Sequence, residues 1–181
     1  KEQRLVKPLN YPTNAPGNAV YRLRKDDLKL DLICLTGQIF MPPCDSPFHA
    51  VDHYLASRTE PEVPVIVDFH AESTAEKRAF AWHLDGRVAA ILGTHTHIQT
   101  ADPEILPQGS AYITDVGMTG AHDSVIGVKK HIVLDKFYTS VPHRFETSDR
   151  GMMINAVLIE ICNQTGKALS IQSIRRKQEL Q

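Results

Sequence analysis

The stretch ILGTHTHIQT (91–100) sets two histidines one residue apart, directly after an apolar run and a glycine. His95 and His97 thus close what reads as a buried strand, where a hydrocarbon core has little use for imidazole. Neutral imidazole is a good donor to Zn, Fe, Mn or Cu. A chain with nine histidines produces such a pair by chance often enough that the spacing alone is weak. A third histidine strengthens it. His70 ends VPVIVDFH (63–70), one strand–helix–strand unit upstream.

The elements around these residues decide whether the three can meet. VPVIVDFH is short, continuously apolar and rich in β-branched residues, as a strand buried on both faces should be. Pro64 falls at its start, where a missing N–H is tolerated. In STAEKRAFAWHLDG (73–86), Ser73 and Glu76 have capping-box spacing and Gly86 suits a C-cap, so a helix is predicted with Ala75, Ala79 and Trp82 on its inner face. RVAAILG (87–93) is the next buried strand. Strand, helix and strand at this spacing form a βαβ unit with parallel strands. The three histidines then share one carboxyl edge, where ligands of open α/β sheets bind. His95 and His97 point to the same side if the backbone stays extended, and Gly93 allows a sharp turn beside a ligand.

The remainder predicts an α/β fold in a single domain, 1–181, with helices on both faces of the sheet. Residues 10–21 read as a Pro/Asn/Gly-rich loop. Strands over 20–24 and 29–37 flank a turn at Lys25, Asp26 and Asp27. The prolines of MPPCDSPF (41–48) oppose a regular helix, and a short helix over 49–58 follows. A strand over 111–117 precedes a helix over 128–140. Two strands within 153–176 are joined by a turn at Asn163 to Gly166.

Further polar residues invite a role. Glu72 could touch a ligand or a ligating imidazole, or simply favour the helix N-terminus. Asp68 alternates with His70 along its strand and could orient that ring or make a structural hydrogen bond. Thr94 and Thr96 could donate to phosphate or stabilise the turn. DVGMTGAHDSVIG (115–127) could line a crevice or form a contact in a homo-oligomer. It is not a P-loop, because no GK[ST] follows. Its His122 and Asp123 read as non-catalytic, and Ser124 has no nucleophile elbow around it. His49, His53, His83, His131 and His143 read as surface or helix-face residues.

Composition narrows the classes. A net charge of −1 gives no cationic excess for an extended nucleic-acid groove, and the basic IRRKQELQ (174–181) reads as a solvated tail. No apolar run reaches the roughly 20 residues of a membrane-spanning helix. Cys34, Cys44 and Cys162 form neither a CxxC pair nor a disulfide framework, which suits a reducing cytoplasm.

The stretch VDFHAESTAEKRAFAWHLDGRVAAILGTHTHIQTADPEILPQGSAYITDVGMTGAHDSVIGV (67–128) resembles the bacterial YmdB-like family of calcineurin-type metallophosphoesterases, and the resemblance extends from VKPLNYP to about VPHRFE. It implies a mixed-sheet αββα sandwich and a two-metal site. By that resemblance Gly93-Thr94-His95-Thr96-His97 is the motif that closes the site and His70 the preceding single-histidine motif. His70 and His95 would ligate one metal and His97 the other. The family also carries GD, GNEN-type and GNH motifs that supply acidic and Asn ligands and a general-acid histidine. Residues 1–62 contain none of them. The chain, which opens without Met, is therefore expected to be the later two-thirds of such a domain with its opening strands absent. A missing part supplied elsewhere and a loss of activity are the alternatives.

The chemistry so implied is phosphodiester hydrolysis. Two divalent transition metals about 3.5–4 Å apart would bind phosphate oxygens and activate water. Fe or Mn suits mixed N/O donors, with Zn also compatible. The resemblance implies 2′,3′-cyclic nucleotides as substrates. Two other readings stand beside it: a non-catalytic regulatory or assembly protein that keeps the fold, and a mononuclear zinc hydrolase held by His70, His95 and His97. The 181-residue chain alone is expected to be nearly inactive.

Overall fold

The structure is a computed structural model describing residues 2, 4–26 and 28–178. Its main sheet has six strands: β1 (Val20–Lys25), β2 (Leu28–Thr36), β3 (Val65–His70), β4 (Ala90–Thr94), β5 (Glu104–Ile105) and β6 (Ala111–Ile113). Their order is β1-β2-β3-β4-β6-β5. The four inner strands are parallel and the two edges antiparallel. Of the expected turn between the first two strands, Asp27 lies outside the described residues.

Alternation along β3 sends Val65, Val67 and Phe69 to one face and Ile66, Asp68 and His70 to the other. The first set packs beneath α1 (Pro47–Ser57) and α2 (Thr74–Leu84), together with Ile33, Leu35, Ile91, Val51, Phe80 and Leu84. Phe69 stacks on Phe80, ring centroids 4.1 Å apart, which pins the end of β3 to α2. The opposite face is covered not directly by a helix but by a second sheet, the layering that an αββα sandwich implies. β7 (Gly120–Ala121), β8 (Met152–Ile161) and β9 (Ala168–Lys177) form a second, antiparallel sheet. Ala90, Ala111 and Ala168 meet between the two sheets, flanked by Ile66, Leu92, Ile159 and Ile171. Small side chains at that contact let the layers approach closely. α3 (Lys130–Thr139) buries Val133 alone.

Several local expectations change. Pro47 does not interrupt a helix but begins one: it sits at the first position of α1 behind the Ser46 cap, where proline's missing N–H is harmless. α2 turns Glu76, Lys77, Phe80, Ala81 and Leu84 inward, while Ala75, Ala79 and Trp82 face solvent. The buried set is an i, i+4, i+8 stripe whose Lys77 is neutralised by an internal partner. The strand expected over 111–117 stops at Ile113 because Thr114 and Asp115 leave the ladder for side-chain bonds with Asp102 and Thr100. The basic stretch read as a tail contributes Ile174–Lys177 to β9, and Glu179–Gln181 lie outside the described residues. No helix among the described residues is long and apolar enough to cross a membrane.

Candidate metal centre

His70 is the last residue of β3 and pairs in register with Thr94, the last residue of β4. The βαβ crossover therefore delivers His70 and His95 to neighbouring strand ends at one sheet edge. Gly93 makes this possible: a Cβ there would lie 1.8 Å from the Thr114 carbonyl oxygen. Only glycine lets β4 run so close to the chain leaving β6.

The rings of His70 and His95 meet edge to face with centroids 4.8 Å apart. His70 Nε2 and His95 Nδ1 are 3.1 Å apart. On its far side, His95 Nε2 lies 3.0 Å from Glu72 Oε2. A carboxylate oxygen can only accept, so Nε2 carries a hydrogen; in the neutral tautomer Nδ1 is then the lone-pair atom on the His70 side. Burial pushes the His70 pKa down, and the neighbouring His95 adds to that shift. Asp68 shows the opposite tendency: burial pushes its carboxyl up, against the hydrogen bond from Thr94 and the attraction of His70.

His97 stands apart from this pair. Its Nδ1 lies 2.9 Å from the Ile126 carbonyl oxygen, which fixes the hydrogen on Nδ1 and leaves Nε2 as the donor atom. His95 and His97 have φ of 113° and 67°, so the extended backbone assumed from their spacing is not present. Both are non-glycine residues with left-handed φ, a conformation that clusters at functional sites. The two rings find separate partners, His95 with His70 and Glu72 and His97 with Ile126. Among the described residues, no three His, Cys, Asp or Glu side chains come together as a cation site.

The donor geometry can still be compared with a metal. Two imidazole nitrogens, each about 2.1 Å from one cation and meeting near a right angle, lie about 3 Å apart. The separation of His70 Nε2 and His95 Nδ1 fits that value, with further donors needed to complete a coordination shell.

The motif's backbone is held from beneath by a buried pair that sequence reasoning missed. Lys77 Nζ donates to Asp115 Oδ2 at 2.9 Å, each side chain 1% exposed. The same carboxylate accepts the Thr96 N–H at 2.9 Å and, through Oδ1, the Gly117 N–H at 2.9 Å. Burial pushes Asp115 up, but the Lys77 bond and the two backbone donors outweigh it and hold its pKa below the ordinary value. Thr96 serves the turn, as its hydroxyl contacts the Ile98 backbone. Glu76 supplies only half of a capping box. Ser73 Oγ accepts the Glu76 N–H, but the Glu76 carboxylate accepts from Gln38 N and Ile39 N instead, clamping the loop after β2. His122 bonds the Met118 carbonyl and Asp123 pairs with Lys130, away from the histidine pair.

A family model described as YmdB-like protein matches residues 1–174. The 2′,3′-cyclic-nucleotide 2′-phosphodiesterase of Bacillus subtilis (strain 168) is 42% identical over 170 residues, covering 94% of this chain and 64% of that protein. A crystal structure of a hypothetical protein from Thermus thermophilus superposes with a TM-score of 0.89 at 38% identity, over 96% of this chain and 68% of that one. A novel phosphatase from Mycoplasma pneumoniae superposes at 0.88 with 36% identity, over 97% of this chain and 64% of that one. The chain thus spans roughly two thirds of the length of these relatives. With the family model covering nearly all of it, the chain belongs to the YmdB-like protein family.

Proposed function

We propose that this chain is the histidine-bearing part of a metal-dependent phosphodiesterase acting on 2′,3′-cyclic nucleotides. One observation carries the reading: two ring nitrogens, His70 Nε2 and His95 Nδ1, face each other at 3.1 Å while Glu72 takes the hydrogen of His95 on the opposite side. A divalent transition metal would bind both nitrogens together. His97, its Nδ1 hydrogen given to Ile126, would present Nε2 to a second ion. When bound, such ions neutralise phosphate charge and activate water. Fe or Mn suits a set that adds oxygen donors to these imidazoles, and Zn is also compatible. The further donors would come from outside this stretch.

The substrate class rests on the Bacillus relative, and a net charge of −1 agrees with a single nucleotide better than with a long polyanion. Within the site, Glu72 orients His95, and Asp115 holds the Thr96 backbone so that the turn keeps its shape. A mononuclear three-imidazole site would instead require His97 Nε2 to bind the same ion as the pair, and a metal-to-protein ratio of one would favour it.

The test is hydrolysis of a 2′,3′-cyclic mononucleotide by the intact protein, with bound metal counted in the same preparation. His95→Ala should lose metal and at least about a hundredfold in turnover, the scale on which removing one electrostatic stabiliser acts. Full turnover in His95→Ala would remove this residue from the site. No hydrolysis and no bound metal in the wild-type protein would instead favour a non-catalytic role.

A further inference from the structure

The His70 side of the pair carries an additional device. Thr94 Oγ1 donates to Asp68 Oδ1 at 2.8 Å and lies 3.1 Å from His70 Nδ1. A hydroxyl has one hydrogen and two lone pairs. With its hydrogen directed at the carboxylate, the Thr94 oxygen can only accept from His70. Nδ1 must therefore carry the ring hydrogen, and Nε2 is the bare nitrogen turned towards His95. Register makes the arrangement: Asp68 and His70 are two apart on β3, and Thr94 lies opposite His70 on β4. All three side chains stand on the same face of the sheet.

We infer that Asp68 and Thr94 form a carboxylate–hydroxyl relay that fixes the His70 tautomer and ring orientation, making Nε2 the metal-binding atom. Asp68 and Thr94 are positioning residues: Thr94 bonds the Nδ1 side of the ring, and Asp68 bonds the Thr94 hydroxyl. Glu72 does the same for His95 directly. The two imidazoles are thereby polarised from opposite sides, and their lone pairs converge. This inference rests on the ligand role proposed for His70, and it assigns Thr94 to the ring and not to the phosphate of a substrate.

The direct test is ring-nitrogen NMR of the metal-free intact protein. His70 should show hydrogen on Nδ1 and a bare Nε2. Hydrogen on Nε2, making a simple imidazole-to-imidazole hydrogen bond to His95, would overturn the relay. The second test is Mn²⁺ affinity by calorimetry. Thr94→Val, which keeps the side-chain volume and removes the hydroxyl, should weaken binding about 10–100-fold, the usual effect of losing a partner behind a ligating histidine. Thr94→Ser should restore it to within a few-fold. Wild-type affinity in Thr94→Val would contradict the relay. His70→Ala separates the two levels: if it binds Mn²⁺ as the wild type does, the ligand reading fails. If it loses Mn²⁺ while Thr94→Val does not, only the relay fails.

Discussion

Two polar pairs lie close together at the same sheet edge, and they are built on opposite principles. Lys77 and Asp115 close on each other: Lys77 Nζ donates to Asp115 Oδ2 inside the protein, and Thr96 N and Gly117 N donate to the same carboxylate. His70 and His95 are held just as firmly from behind, by Thr94 and Glu72, yet their inner nitrogens face one another. The first pair is closed by contacts within the chain and serves the fold. The second, under the proposed ligand role, is completed by a cation that both nitrogens bind. Burial of polar groups does not by itself distinguish structure from function; the direction of the remaining lone pairs does.

That contrast can be broken on the structural side first, where the largest change in stability is expected. Lys77→Met leaves a buried carboxylate without its cation, and removing one partner of a buried ion pair costs about 3–5 kcal/mol. Thermal unfolding should register it as a fall of roughly 6–20 °C for a chain of this size. His95→Ala, on a half-exposed turn, should change stability by less than about 1 kcal/mol. Comparable losses in the two variants would mean that the histidine pair is part of the scaffold as well.

The smaller effect is on acid stability. Asp115 is held below its unfolded-state pKa, so its contribution is fully present above that value, about 4. It is lost as pH falls through the lower folded-state value. Lys77 provides the first of the interactions that outweigh burial and keep Asp115 ionised. The wild-type protein should therefore lose more stability between about pH 5 and pH 3 than Lys77→Met does. Parallel acid limbs in chemical denaturation would assign the acid sensitivity to other carboxyl groups.

Much of this edge is legible in the sequence. The apolar runs before His70 and before Gly93, with a capped helix between them, specify a parallel pair and hence neighbouring strand ends. Glu72 has two readings from sequence, and the geometry selects contact with His95. Other features depend on tertiary contacts that no pattern displays. Nothing in the sequence pairs Lys77 with Asp115, 38 residues further on, and with that pair the inner face of α2 shifts away from Trp82. Alternation places His97 on the same side as His95 only if the chain is extended. Left-handed φ at both residues, rare outside glycine, breaks that assumption. Thr94 can be placed beside His70 only once strand register is known, since a one-residue slip would send it to the other face.

The central claim is that the facing nitrogens of His70 and His95 share one cation. Anomalous diffraction from crystals of the intact protein grown with Mn²⁺ tests it most directly. A manganese peak within coordination distance of both His70 Nε2 and His95 Nδ1 is the predicted result. A metal-loaded enzyme in which the density lies elsewhere, with the two rings still bonded to each other, would contradict it.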